Sequence, residues 1–242
     1  MKRDLIVLGL FATIALAVLI TLGFWQLQRL AWKEGLIAQI EERVEAEPVP
    51  LGTAVARWTD SKDIEYLRVQ AKGRFLHDQE KHLFSVIDGK SGWRIFTPLQ
   101  TSEGEIVIAD RGFVPEALKA AEKRSEGQMS GPVNVVGLAR KAEIPNIFTP
   151  DNAPDKNSWY WRDLEGMAES SVPPASRSKV VPFFLELEEQ TVPGGWPRGG
   201  ATRLKLSNNH LQYALTWFGL AAGLLLVVAV YAIGRIRHRP EP

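Results

Sequence analysis

Two stretches of this chain carry no charge over a length that a soluble fold rarely needs. From Leu5 to Gln28 there is no charged residue, and Leu5 to Trp25 reads LIVLGLFATIALAVLITLGFW; the pattern returns from Leu211 to Gly234. Each window matches the ~20 apolar residues that cross a hydrocarbon core. Both are therefore expected to be membrane-spanning helices.

Lys2 and Arg3 ahead of an apolar run, with Ala15-Leu16-Ala17 in small-x-small form, also outline a secretory signal. That tripeptide lies in mid-run, however, and the run passes through Trp25 into a helical pattern, so the segment reads as an uncleaved anchor. Positive charge resists translocation. Lys2 and Arg3 precede the first span and Arg235, Arg237 and Arg239 follow the second, against a weaker bias from Arg203 and Lys205 on its other side. Both termini are expected in the cytoplasm, with about 180 residues from Arg29 to Leu206 across the membrane. In the absence of an Arg- and Ser-rich presequence this points to a bacterial inner membrane and a periplasmic central domain. Gly9, Thr13, Ala17 and Thr21 recur every four residues in the first span, and Gly219 and Gly223 form a GxxxG in the second. Such small faces are expected to pack the spans together or to form a homo-oligomer.

Charge narrows the partners. Across 242 residues the formal net charge is +1, which gives no field to attract nucleic acid, so no nucleic-acid partner is expected, and membrane lipids are. The absence of cysteine excludes disulfides, thiolate zinc sites and iron–sulfur clusters, and leaves four histidines and three methionines as soft ligands.

Between the spans the pattern changes. Trp25, Trp32, Leu36 and Ile40, at spacings of seven, four and four, continue the first helix as an amphipathic stalk that Glu47-Pro48-Val49-Pro50 stops. Leu67, Val69, Ala71, Gly73 and Phe75 then alternate with polar residues, as in a half-buried strand. Further strands are predicted at Lys81 to Ile87, Trp93 to Leu99, Glu105 to Ala109, Pro132 to Leu138 and Pro182 to Glu188, with a short helix from Pro115 to about Arg124. The fold class that follows is a membrane protein in which two transmembrane helices flank an α+β, mostly antiparallel β domain, barrel- or sandwich-like. The expected divisions are 1–28, tail and first span; 29–50, stalk; 51–206, periplasmic domain; 207–234, second span; and 235–242, basic cytoplasmic tail. Long Pro-, Asn- and Gly-rich connections at Pro145 to Asn157, Val172 to Lys179 and Pro193 to Gly200 exceed what strand pairing needs.

Catalytic constellations are missing. Gly89-Lys90-Ser91 ends like a phosphate loop but has Phe84 where the loop requires glycine, and there is no GxSxG, HExxH, SxxK or dinucleotide fingerprint. No enzyme is expected. His77 and His82, beside Asp78 and Glu80, lack further ligands and read as a solvated strand end. The site that stands out is SNNHLQYALTWFGLAAG, where His210 begins an apolar helix with Ala214 and Trp217 on the face below it. A small gap, a broad aromatic and an imidazole suit a flat ring with an axial ligand, namely haem. An interfacial histidine bonded to Ser207 or to a lipid headgroup fits the same residues. Arg29, between Trp25 and Trp32 at the matching end of the first span, suits either haem propionates or interface anchoring.

The run Gly23-Phe24-Trp25-Gln26-Leu27-Gln28-Arg29 into Trp32-Lys33 resembles the surfeit-locus protein family of cytochrome c oxidase assembly factors. So do Tyr66 with Arg68-Val69, Gly73 and Phe75; Thr97-Pro98-Leu99; Asp110-Arg111-Gly112-Phe113-Val114-Pro115; the Phe148 to Asp163 run; and Asn208-Asn209-His210-Leu211-Gln212-Tyr213-Ala214 with Thr216-Trp217-Phe218. The resemblance implies a two-span inner-membrane protein that helps deliver haem a, from haem a synthase, to cytochrome c oxidase subunit I. It implies His210 as the axial ligand of the haem iron, with Trp217, Tyr213, Ala214, Arg29 and Trp25 around the transiently bound haem a. A scaffold that grips subunit I or the synthase without binding haem is the alternative. The chain has Asp110-Arg111-Gly112-Phe113 where the family more often shows Asn-Arg-Gly-Trp, so Asp110 is free to pair with Arg111.

Overall fold

A computed structural model describes residues 2–200 and 208–237. Arg203, Lys205, Ser207 and Arg239, on which parts of the sequence reading rest, lie outside the described residues. The described residues divide into two compact units, 2–40 with 208–237 and 41–200.

The first unit is helical. Helix α1, Lys2–Glu45, runs unbroken to within three residues of Pro48, and α4 spans His210–Arg237. Both contain stretches long and apolar enough to cross a membrane. Their apolar side chains mostly point outward: Ile6, Phe11, Leu226 and Val227 are each about two-thirds exposed or more. That surface is incompatible with water and suited to lipid.

The second unit is a closed barrel. After β1 (Val49–Pro50) and helix α2 (Leu51–Ser61) come β2 (Arg68–Phe75), β3 (Lys81–Ile87), β4 (Lys90–Thr101), β5 (Ile106–Pro115), β6 (Val133–Arg140), helix α3 (Leu164–Ser171) and β7 (Val180–Leu187). Neighbours run β2–β6–β7–β5–β4, and β4 returns to β2 through Gly73–Phe75 against Leu99–Thr101. All of these pairs are antiparallel except β5–β7. β3 extends β4 on its outer side through a tight turn in which Asp88 (φ 50°) and Gly89 (φ 75°) are both left-handed, the geometry of an Asp-Gly hairpin. Closure demands glycine at position 73, because a Cβ there would strike the Gln100 carbonyl.

Alternation along β2 sends Val69, Ala71 and Phe75 into the barrel, where they meet Leu99, Val107, Val135, Phe183 and Leu185. α2 adds Leu51 and Ala54 to this core. The sequence reading missed this helix, although Leu51, Ala54, Val55 and Trp58 follow helical spacing directly after the Pro-rich break. On the outer face of the sheet, Trp159 and Met167, carried by a loop and by α3, cover Leu83, Phe96, Ile108 and Phe184.

Three local expectations change. The Asp110-Arg111-Gly112-Phe113 segment lies inside β5, which continues to Pro115 by pairing Phe113–Pro115 with Gly92–Arg94 of β4, while Gly112, at φ 111°, lets the Arg198 backbone approach where a Cβ would collide. The helix expected from Pro115 to Arg124 is instead two 3-10 segments, Glu116–Leu118 and Ala121–Gly127. His77 and His82 are half-buried in an ionic network. His82 Nε2 lies 2.9 Å from Glu80 Oε1, Glu80 pairs with the buried Arg124, and His77 bonds the Met129 carbonyl at 3.0 Å.

Charges thread the barrel wall as pairs. Arg94 donates to Asp110 at 2.6 Å and to Glu186 at 2.8 Å, while Arg140 donates to Glu186 at 2.7 Å and to Glu65 at 2.8 Å. Asp110 therefore answers Arg94 on the neighbouring strand rather than Arg111, whose guanidinium turns to the Gly127 carbonyl and the Phe75 ring. Burial pushes the Asp110 carboxyl up, against the pull of Arg94. Burial would raise Glu80 too, but the hydrogen bonds from His82 and Arg124 outweigh it and hold the carboxyl at about 2.

Two predictions follow from closure and from Glu80. Replacing Gly73 with Val should cost about 3 kcal/mol, read as a lowered Tm of the detergent-solubilised chain, because the obstacle is backbone and cannot rotate away. Glu80, depressed from 4.5 to about 2, contributes stability that is complete above pH 4.5 and disappears as pH falls towards 2. In Glu80→Gln the acid limb of stability against pH should be shallower across that window than in the wild type.

Candidate functional site

In the helical unit a stripe of half-buried or buried positions runs down each helix. On α1 it comprises Ala12, Leu16, Leu19, Gly23, Gln26 and Leu30; on α4 it comprises His210, Ala214, Trp217, Ala221, Leu224 and Val228. Alternating spacings of three and four place each set on one face. The faces meet at Gly23, where a Cβ would lie 2.5 Å from the Phe218 ring, and where Phe24 stands edge-on to Phe218 at 5.5 Å.

These are not the small faces that the sequence singled out. Gly9, Thr13, Ala17 and Thr21 are exposed, and nothing lies within 4 Å of a Cβ built on Gly9, Gly219 or Gly223. Thr13 and Thr21 return their hydroxyls to the carbonyls four residues back, which lets them face an apolar medium without an unpaired donor. The contact instead follows volume: the Phe218 ring, next to Trp217 on α4, takes the only glycine on the α1 stripe.

One polar pair lies on this apolar interface. His210 Nδ1 is 2.7 Å from Gln26 Oε1, and Gln26 is 9% exposed. An amide oxygen can only accept, so Nδ1 carries the proton and donates it. The remaining ring nitrogen, Nε2, then presents a lone pair. Gln26 was legible in the sequence only as part of a motif. The signal available was its position as an amide within an uncharged span, where an unpaired polar group is costly.

Around this pair the predicted residues take different places. Ala214, one turn below His210, is 1% exposed and packed between the helices, Trp217 is half-buried, and Tyr213 is 55% exposed. His210, Tyr213 and Trp217 fall at i, i+3 and i+7, so the two aromatics stand on the same side of α4 as the imidazole. Arg29 is exposed and rests on its own helix, with its guanidinium 5.1 Å from the Trp32 ring and 6.0 Å from Trp25. Trp25 is 48% exposed. The structure thus joins His210 to Gln26 and sets Arg29 and Trp25 together as a second group on α1. Among the described residues there is no cluster of three or more His, Asp or Glu that could hold a bare metal ion.

Residues 13–222 match the family model described as the SURF1 family. The chain belongs to the SURF1 family. Surfeit locus protein 1 of Mus musculus is 39% identical over 218 residues, covering 83% of this chain and 68% of the mouse protein. The Homo sapiens protein of that name is likewise 39% identical, over 219 residues, covering 83% and 69%. A SURF1-like protein of Monosiga brevicollis is 38% identical over 213 residues, covering 83% and 78%. The SURF1 match begins inside α1 and ends inside α4, so it takes in Gln26, Arg29, His210 and Trp217 as well as the whole barrel.

The packing at Gly23 is open to a coupled test. Gly23→Leu should lower the Tm in detergent by forcing the Phe218 ring out of its seat. Adding Phe218→Ala should recover part of that loss, a non-additivity expected of residues in contact.

Proposed function

We propose that this SURF1-family chain is a non-enzymatic assembly factor for cytochrome c oxidase, which accepts haem a from haem a synthase and passes it to subunit I. The hydrogen bond from His210 to Gln26 carries the reading. A histidine fixed through Nδ1 offers Nε2 in one orientation, the arrangement that second-sphere acceptors impose on metal-binding imidazoles. One fixed imidazole without companion ligands suits an iron that brings its four in-plane nitrogens with it.

Haem a is cargo here, and the surrounding residues serve to receive it. Ala214, packed between the helices, holds them close enough for His210 to reach Gln26, Tyr213 and Trp217 supply flat apolar surface, and Trp25 with the exposed Arg29 offers an aromatic and a cation for the propionates. A single axial bond with aromatic contacts also gives moderate affinity, which transfer requires, since a site that binds too tightly cannot release. The chain spans the inner membrane with both termini cytoplasmic and the barrel periplasmic, following the basic residues next to each span.

The test is a visible absorption spectrum of the full-length protein purified in mild detergent from cells that make haem a. A haem a band should be present in the wild type and absent in His210→Ala. Gln26→Leu should retain the band with affinity reduced roughly tenfold, because the ligand remains but its orientation is no longer fixed. No band in a folded wild type, with the synthase active, would overturn the carrier and leave a scaffold that holds subunit I or the synthase.

A further inference from the structure

The segment from Glu143 to Asp151 reads EIPNIFTPD and is uncharged between its ends. Its three large apolar residues, Ile144, Ile147 and Phe148, are 93%, 92% and 90% exposed. The turn that presents them is tied by its own hydrogen bonds. Asn146 N donates to Thr149 Oγ1 at 3.0 Å, Phe148 N donates to Asn146 Oδ1 at 2.9 Å, and Thr149 N donates to the Asn146 carbonyl at 2.9 Å. An ion pair of 2.7 Å between Glu143 and Arg162 anchors its base. These backbone groups are satisfied locally, so covering the loop would not strand them.

The rest of the long connection behaves differently. Asn152 accepts from Tyr160 N at 2.8 Å, Asn157 donates to the Glu80 carbonyl at 2.9 Å, and Trp159 is fully buried. That part is a clasp on the barrel, and the apolar turn is not needed for it.

Beside the turn lies an open groove of about 600 Å³ whose apolar lining includes Ile144, Trp161, Leu164, Val180 and Pro182. Its rim is acidic. Glu165 and Glu169, one turn apart on α3, are both exposed, and Asp163 caps the same helix. The guanidinium at the rim, Arg177, is turned onto the Glu169 and Val172 carbonyls. Carboxylates around an apolar groove repel lipid phosphates and favour Lys and Arg, so charge complementarity selects a protein segment over a bilayer surface.

We propose that this turn and groove form a docking surface for a partner polypeptide whose segment is apolar on one side and carries Lys or Arg to meet Glu165 and Glu169. It is independent of the haem reading, since it uses none of the residues around His210.

The experiment places the photoreactive residue p-benzoylphenylalanine at Phe148 of the full chain, irradiates membranes from its own cells, and sequences the attached product. The same probe at Asp88, on the β3–β4 turn, is the control. The expected product is one polypeptide segment, apolar and bearing Lys or Arg, whose yield falls roughly five-fold in Glu165→Lys with Glu169→Lys and less in Glu165→Gln. The Tm of each variant, unchanged, shows that the loss is not unfolding. Products with lipid alone, with a second copy of this chain, or with a segment lacking basic residues would overturn the proposal. So would a yield no higher than at Asp88, or one indifferent to charge reversal.

Discussion

A helix inside a bilayer can satisfy its backbone only by itself, so any polar chemistry it performs must come from rare side chains that find each other. In this chain that constraint leaves the pair of Gln26 and His210, one from each helix, bonded at 2.7 Å. The close approach at Gly23 and the buried Ala214 bring the two helices near enough for the bond to form. The bond in turn fixes which nitrogen of the imidazole is free. The proposed chemistry of the site rests on that sequence of dependencies.

The barrel answers a different constraint. A sheet of short strands has exposed edges unless it closes, and here β2 closes onto β4 at the one position where a side chain would prevent it, Gly73. Closure leaves charged residues in the wall, and they are answered by partners distant in the chain: Arg94 on β4 by Asp110 on β5 and Glu186 on β7, and Arg140 on β6 by Glu186 and by Glu65 in the turn before β2. Such pairs are better evidence for register than for net stability, since burying both charges offsets much of their attraction.

Much of this was legible in the sequence. Charge-free windows give the two helices, alternation gives β2, and β3 was placed at its observed bounds, Lys81 to Ile87. α2 and α3 were not read. The first follows a Pro-rich break, and the second is eight residues long with one buried apolar anchor, Met167. Small-residue periodicity misled, because Gly9 and Gly219 mark faces that can approach closely, while the volume of Phe218 decided which faces do. Asp110 was set against its neighbour Arg111, yet adjacent strand residues point to opposite faces, so its partner had to come from another strand.

By itself the sequence determined what depends on local composition and period: membrane helices at both ends, a β-rich domain between them, and an imidazole where an apolar helix begins. The tertiary structure decided what depends on residues far apart in the chain. It brought Gln26 to His210 across 184 positions, closed the barrel through Gly73, and separated the Asn-rich clasp from the exposed Ile144–Phe148 turn. Periodicity fixes which face of an element is apolar. Only packing chooses the face it meets, since that choice turns on volumes and hydrogen-bond partners that no single segment contains.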